Sequence, residues 1–190
     1  MSKLSKLAVA GLLTLSAGQA FATDGTINFT GSIFDTTCNF EGGDTVNVEL
    51  GTYAADQFKT VGDRSPKIPF TIPLENCPTT PWEHDDGRTD ASFRLWLETR
   101  NGSTVEDAVN NHTLVSVASM RPGAATGVGI QIETDDGTPM KINELTDVIF
   151  PISGEKMNVN LKAYYVSTTT PELITPGEAN ATVDVTLDYR

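Results

Sequence analysis

The chain contains few of the residues that carry catalysis or hold metal ions. Its 190 residues include two histidines and two cysteines. The sequence has no Gly-x-Ser-x-Gly nucleophile motif, no zinc-type ligand spacing and no phosphate-binding glycine loop. These absences predict a protein that is not an enzyme and that has no cofactor and no metal site.

Positive charge is also scarce. The chain has 13 Lys and Arg residues against 25 Asp and Glu residues, which gives a formal net charge of −12 at pH 7. A surface this acidic repels the phosphates of nucleic acids and the headgroups of anionic lipids. We therefore expect no nucleic-acid partner.

Long apolar runs are lacking throughout. Near the start, Lys3 and Lys6 precede a short apolar stretch at residues 7–15, and the Ala-Phe-Ala of residues 20–22 supplies a small-x-small cleavage site. This order is typical of a secretory signal peptide. Because the apolar stretch is too short to span a bilayer, we expect residues 1–22 to be removed and the chain to be exported without membrane insertion.

Helical periodicity is nearly absent, and short alternating runs between turn signals take its place. A period of two in apolar residues indicates strands with one buried face. Seven or more such strands in one domain predict an all-β, immunoglobulin-like sandwich. The apolar positions of the internal runs are Val46, Val48 and Leu50; Ile68, Phe70, Ile72 and Leu74; Phe93, Leu95 and Leu97; Val128, Ile130 and Ile132; Val148, Phe150 and Ile152; and Met157, Val159, Leu161, Ala163 and Tyr165.

Two prolines, Pro69 and Pro73, flank Phe70 within one of these runs. Proline has no N–H group to donate to a strand ladder. This strand is therefore predicted to lie at a sheet edge or to switch between sheets, and the sequence leaves both alternatives open.

The strongest alternation lies at the carboxyl end of the chain. It opens at Gly177 and continues to Arg190, with polar residues at the even positions. Because no turn follows this predicted strand, we expect its edge to be available to another chain. The apolar positions of the run are Ala179, Ala181, Val183, Val185, Leu187 and Tyr189.

A second terminal run contains Ile27, Phe29, Gly31 and Ile33. Gly31 stands where an ordinary strand would place a large apolar residue, which indicates a close approach or a shallow pocket. The alternative is a routine first strand with a bulge at Gly31.

Cys38 and Cys77 are the two cysteines of the chain. Exported proteins pass through oxidising compartments, where paired cysteines form structural disulfides. We therefore expect these two to be bonded, since two cysteines alone do not make a zinc site.

Alternating strands at both ends, with a cysteine soon after the first, resemble the subunits of chaperone–usher pili, including the rod and minor subunits of type 1 and P pili. The resemblance extends over the whole chain after residue 22 and depends on the order and spacing of several weak motifs. The matching segments are residues 26–31 leading to Cys38, residues 46–51, residues 70–77, residues 127–132 and residues 175–189.

The resemblance implies an incomplete immunoglobulin-like sandwich, the pilin fold, at residues 37–190. Residues 23–36 would be a donor-strand extension that completes the sandwich of a neighbouring subunit. In this family a periplasmic chaperone first lends the missing strand. At the outer-membrane usher the extension of the next subunit replaces it. The implied partners are thus other pilin subunits in a head-to-tail polymer, the chaperone and the usher.

The implied product is an extracellular fimbria that supports cell adhesion, and the resemblance assigns roles to individual residues. Gly31 would enter the shallow pocket at which exchange begins, and the family disulfide would join Cys38 to Cys77. The donor-strand side chains would be Ile27, Phe29, Gly31 and Ile33. The groove edge and chaperone-recognition end would contain Gly177, Val183, Val185, Leu187, Tyr189 and Arg190.

The extension is also too close to the sandwich to turn back into it. Three residues, 35–37, separate the alternating run from Cys38. Reversing direction within so few residues, while still spanning a groove, is sterically unfavourable. We therefore expect the strand to serve a neighbour.

Alternatives to a structural pilus subunit remain open. A minor, adaptor or adhesive subunit would bind host glycan or protein through loops of the pilin domain, and a secreted hydrolase would need a deep polar cleft. The loop with Trp82, His84, Asp85 and Asp86 has residues that suit a metal or sugar site, but the Asp-Asp-Gly sequence favours a solvated turn.

We expect Gly31→Ile to slow or stop polymerisation and to leave chaperone binding intact. A large side chain at this position would not fit a shallow pocket, whereas the chaperone supplies its own strand. The measurement is the rate at which subunits polymerise. Wild-type rates in the variant would contradict the assignment.

Overall fold

The protein is described here from a computed structural model, which describes residues 27–29, 37–100, 103–117 and 122–190. The chain separates into two units, residues 1–31 and residues 32–190. In the first unit only residues 27–29 are described, without regular secondary structure.

The described part of the second unit contains eleven β-strands and two single-turn 3-10 helices. The two helices are η1 (Ala55–Gln57) and η2 (Pro171–Leu173). The strands are β1 (Asn39–Phe40), β2 (Ile68–Glu75), β3 (Trp82–Glu83), β4 (Thr89–Asp90), β5 (Ser92–Thr99), β6 (Thr104–Asp107), β7 (His112–Ser116), β8 (Val128–Thr134), β9 (Leu145–Pro151), β10 (Met157–Ser167) and β11 (Val183–Asp188).

The strands form two main sheets. One has six strands in the order β1-β2-β10-β8-β7-β6, and the other has three in the order β11-β5-β9. A separate two-stranded hairpin joins β3 to β4. The core lies between the two main sheets, where side chains of β2, β8 and β10 pack against Phe93, Leu95 and Leu97 of β5.

Strand β8 is buried on both faces. Its core-facing residues are apolar, whereas Gln131 and Glu133 point to the opposite face. There the Glu133 carboxylate accepts a hydrogen bond from the Tyr164 hydroxyl at 2.9 Å and pairs with the Lys67 ammonium at 2.5 Å. Burial, together with this hydrogen bond, raises the pKa of Tyr164 to about 12. The buried carboxylate is thus satisfied by hydrogen bonds, as a buried charge requires.

The proline-containing strand lies near a sheet edge. Strand β2 pairs with β10 from Ile68 to Leu74, but with β1 only at Leu74 and Glu75. Pro69 and Pro73 therefore lie along a side of β2 that has almost no strand partner. The end strand of the sheet is β1, so β2 behaves as an edge strand over Ile68–Pro73, where β10 is its one ladder partner among the described residues.

The disulfide is present as expected. It joins Cys38 to Cys77 with a Cα–Cα distance of 4.0 Å. Because β1 pairs Asn39 with Glu75, the disulfide lies at the end of the β1–β2 ladder, next to the first strand of the sandwich.

Strand β11 is shorter than the alternation predicts. The ladder begins at Val183, because the backbone around Gly177 pairs with a different segment. Glu178 donates an amide hydrogen bond to the Gly123 carbonyl at 3.2 Å and accepts one from Ala125 at 2.9 Å. Gly177 therefore lies before β11 and in this crossing, and its role at the groove edge stays a prediction.

We expect Gly177→Ala to lower the free energy of unfolding by about 1–3 kcal/mol, since an added Cβ would overpack the crossing. It would lie 2.6 Å from the Ala125 nitrogen and closer still to the Gly123 carbonyl oxygen. Urea unfolding would measure the difference. The control is Gly154→Ala, whose Cβ would meet the Lys156 carbonyl at an ordinary 3.6 Å. Equal unfolding midpoints for the two variants would contradict this account of the crossing.

Candidate functional site

An open groove runs along the sandwich between two extended segments, residues 45–50 and residues 181–185. Its volume is about 850 Å³. Side chains of both main sheets line the groove, and most of them are buried at its bottom. Its floor is apolar and contains Phe70, Ile72, Leu97, Val115, Ile130, Ile132, Leu161 and Ala163.

One wall of the groove is β11. This strand pairs with β5 on one side, from Val183 opposite Thr99 to Asp188 opposite Arg94. It is the end strand of its sheet, so within the described residues its other edge makes no ladder and faces the groove. Val183, Val185 and Leu187 are half-buried, as expected for apolar side chains beside an open groove. The predicted edge strand is therefore in place over Val183–Asp188.

The opposite wall is the segment 45–50, which the alternation predicted as a strand. Its inward side chains follow the expected period, with Val46 and Val48 half-buried and Leu50 buried. Nevertheless, the segment belongs to none of the sheets in the described part of the chain. Both walls thus offer backbone N–H and C=O groups that have no ladder partner.

A smaller cavity of about 430 Å³ continues along the same two segments. It begins at Gly51 on one wall and at Asn180 on the other, and Phe58 and Val128 line it. The Tyr165 hydroxyl donates a hydrogen bond to the Ala179 carbonyl at 3.0 Å, and burial raises the pKa of this tyrosine. This cavity therefore has about half the volume of the main groove and is bordered by the same two segments.

The rim of the main groove is acidic. Asp44, Glu49 and Asp184 border it. Arg100 pairs with Asp184 at 2.6 Å, and the hydrogen bond from the guanidinium lowers the pKa of that carboxyl group. An occupant with polar, uncharged outward side chains would avoid charge repulsion at this rim.

The carboxyl end of β11 is packed rather than free. The Tyr189 hydroxyl accepts a hydrogen bond from the Cys38 amide at 2.8 Å, and the Tyr189 carbonyl accepts one from the Trp82 indole at 2.9 Å. The rings of Trp82 and Phe93 both lie 5.9 Å from the Tyr189 ring. Burial raises the pKa of Tyr189. Beyond it, the Arg190 guanidinium pairs with the Asp188 carboxylate. The chaperone-recognition role of Tyr189 and Arg190 stays a prediction.

The loop that the sequence favoured as a solvated turn is only partly solvated. Asp85 and Asp86 are exposed, as expected, but Trp82 and His84 are buried within the β3–β4 hairpin. The sequence analysis did not predict this packing. The feature that could have indicated it is the tryptophan in an otherwise polar segment. Across residues 37–100, 103–117 and 122–190, no group of three His, Cys, Asp or Glu side chains could hold a metal ion.

The predicted donor-strand residues are described only in part. Ile27 is 79% exposed and Phe29 is 92% exposed, which is unusual for large apolar side chains. Gly31 and Ile33 lie outside the described residues. None of the described helices is long and apolar enough to cross a membrane.

Comparison with known proteins gives concordant matches. The family described as "Fimbrial protein" matches residues 27–190. The uncharacterized fimbrial-like protein YraH of Escherichia coli strain K12 is 52% identical over all of both chains. The type-1 fimbrial protein subunit of Serratia marcescens is 35% identical, also over all of both chains.

The fold also matches a solved structure. The crystal structure of the P pilus rod subunit PapA superposes with a TM-score of 0.60 at 17% identity, over 82% of this chain and all of that chain. The predicted all-β pilin sandwich is therefore confirmed.

We expect Ala163→Leu to weaken binding of a peptide of residues 23–34 by about 10-fold or more, because the larger side chain fills the groove floor. Ala163 is buried in the floor, and the open volume above it leaves room for the chain to fold. Fluorescence anisotropy of labelled peptide would measure the affinity. The control is Ala108→Leu in the exposed turn after β6, where the same enlargement should leave affinity unchanged. Equal affinities would argue against the groove as the binding site.

Proposed function

The chain belongs to the fimbrial protein family and is a structural pilus subunit, and we propose that it polymerises by donor-strand exchange. Each subunit would lend residues 23–36 to the groove of its neighbour, with Ile27, Phe29, Gly31 and Ile33 directed into the floor. The family is one of structural subunits rather than of enzymes.

The observation that carries the proposal is the groove with two unpaired walls and an apolar floor. An extended strand inserted there would pair with the segment 45–50 on one side and with β11 on the other. Such strand addition takes its affinity from main-chain hydrogen bonds and its specificity from pockets for alternate side chains. The exposed Ile27 and Phe29 belong to the alternating run that fits this requirement.

The expected energies favour a durable assembly. Burial of Ile27, Phe29 and Ile33 contributes on the order of 5–9 kcal/mol, at about 1.5–3 kcal/mol for each large side chain. Each main-chain hydrogen bond adds roughly 0.5–1.5 kcal/mol net. The total is comparable to the free energy of unfolding of a whole domain, so loss of the strand would be slow.

The position of Cys38 indicates which chain can supply a groove strand antiparallel to β11. It favours a neighbouring subunit over the chain itself. Its amide contacts Tyr189, so the extension leaves the sandwich at the carboxyl end of β11. A strand antiparallel to β11 would end beside Val183, at the opposite end of the six residues of β11 from Cys38. Six strand residues span about 20 Å. Residues 34–37 extend over at most about 14 Å. A strand from another subunit has no such limit, and the resulting head-to-tail contact propagates into a fibre.

The proposed route to the cell surface passes through the periplasm. The predicted signal peptide supports export, and the open groove needs protection until a neighbour fills it. A periplasmic chaperone would lend a strand to the groove, and an outer-membrane usher would be the site of exchange. The edge residues Val183, Val185, Leu187, Tyr189 and Arg190 would contact the chaperone, and the fibre would be extracellular.

The test is complementation by a synthetic peptide of residues 23–34. Chain lacking the signal peptide is refolded with excess peptide, and thermal unfolding is followed by circular dichroism. We expect the peptide to bind and to raise the unfolding temperature by at least about 10 °C relative to the chain without peptide. The reason is that the peptide binds only the folded state. A peptide with Phe29→Asp is the matched control and should have no effect.

The proposal fails if the wild-type peptide neither binds nor raises the unfolding temperature. It also fails if the chain alone is a closed monomer whose groove its own extension has filled. Size-exclusion chromatography distinguishes such a monomer from polymer and from peptide complex.

A further inference from the structure

The β3–β4 hairpin lies outside both main sheets and contacts the end of β11. Its register places Trp82 opposite Asp90, and its turn is closed by hydrogen bonds between His84 and Arg88 and from Gly87 to His84. Gly87 has a φ of 83°, in the left-handed region that glycine adopts without strain. None of these residues lines the main groove.

Side-chain hydrogen bonds hold the hairpin against β5, the strand that pairs with β11. The Arg88 guanidinium donates hydrogen bonds to Asp90 and to Ser92 of β5, both at 3.1 Å. The Asp86 carboxylate accepts a hydrogen bond from Arg94 of β5 at 2.7 Å. Hydrogen bonds from Arg88 lower the pKa of Asp86, so this carboxylate stays charged at neutral pH. These hydrogen bonds fix the position of the hairpin relative to the last residue pair of the β11–β5 ladder, Asp188 with Arg94.

Tyr189 is the first residue after that ladder pair. Chain ends without ladder partners fray unless side chains hold them. Here the Trp82 indole N–H bonds to the Tyr189 carbonyl, and the Trp82 ring packs against the Tyr189 ring. Trp82 is 8% exposed, so the hydrogen bond of its indole is shielded from competing water.

We propose that Trp82 is a positioning residue for donor-strand exchange. By holding the carbonyl of Tyr189, it keeps the last residues of β11 aligned, so that an inserted strand pairs with the whole of the free edge. The residue acts through β11, since it does not line the groove that the donor strand enters. The inference rests on the proposed function, because it concerns the release of a donor strand.

The test compares Trp82→Phe with Trp96→Phe. The first substitution keeps an aromatic ring and removes the N–H donor. Trp96 lies on the face of β5 opposite the core-facing Leu95 and Leu97, and hence on the opposite face from Tyr189. Both variants are refolded with the labelled peptide of residues 23–34. Hydrogen–deuterium exchange of the last four amides and the dissociation rate of the peptide are then measured.

We expect Trp82→Phe to accelerate both amide exchange at residues 187–190 and peptide dissociation by roughly 2- to 10-fold, the effect of one lost hydrogen bond on a local opening. Trp96→Phe should change neither. A purely structural role would instead lower the unfolding temperature and accelerate exchange throughout the sandwich. A second variant, Arg88→Gln, loosens the hairpin without altering Trp82 and should change the same two quantities in the same direction.

The exchange rates and the peptide dissociation rates of the variants decide whether the inference holds. Unchanged exchange at residues 187–190 in Trp82→Phe overturns the inference, and so does accelerated exchange with an unchanged peptide dissociation rate. If Trp82→Phe does not fold, Arg88→Gln decides by the same two measurements. Failure of the wild-type chain to bind the peptide overturns the proposed function itself, whereas wild-type binding with no difference among the variants overturns only the role of Trp82.

Discussion

The architecture depends on one unmet requirement, which is that the backbone groups along two extended segments need hydrogen-bond partners. Residues 45–50 and the outer edge of β11 face each other across an apolar floor, and neither has a ladder there in the described structure. Proteins rarely leave such groups unpaired beside a core, and water on an apolar floor is unfavourable. One inserted strand would meet both needs, and in the function proposed above a neighbouring subunit supplies it.

The two ends of β11 are fixed by different means. Before the strand, the backbone at Gly177 and Glu178 pairs closely with residues 123–125. After it, Tyr189 is held by Trp82 and by the amide of Cys38. The strand between these points is paired on one side and open on the other. Its exposed edge is therefore positioned by contacts that do not require an occupant in the groove.

The alternating runs predicted six of the eleven described strands, β2, β5, β8, β9, β10 and β11, but not their pairing. A period of two in the sequence shows which side chains of a sandwich strand are buried, because burial alternates along each strand. The same period at residues 46–50 indicated a strand that has no ladder, since the missing partner is not encoded beside it. The hairpin was missed because two-residue strands show no periodicity, and because the burial of Trp82 depends on Tyr189, 107 residues away in sequence.

The disulfide has a mechanical consequence in a pilus of the proposed kind. Tension on residues 23–36 would reach the sandwich at Cys38, just before β1, whose ladder with β2 contains two residue pairs. On its own, that short ladder would separate under a small force. The covalent bridge to Cys77 instead transmits the load to the end of β2, and β2 shares it with β10 across seven residue pairs. Each link of the fibre would thus bear force through its broadest sheet.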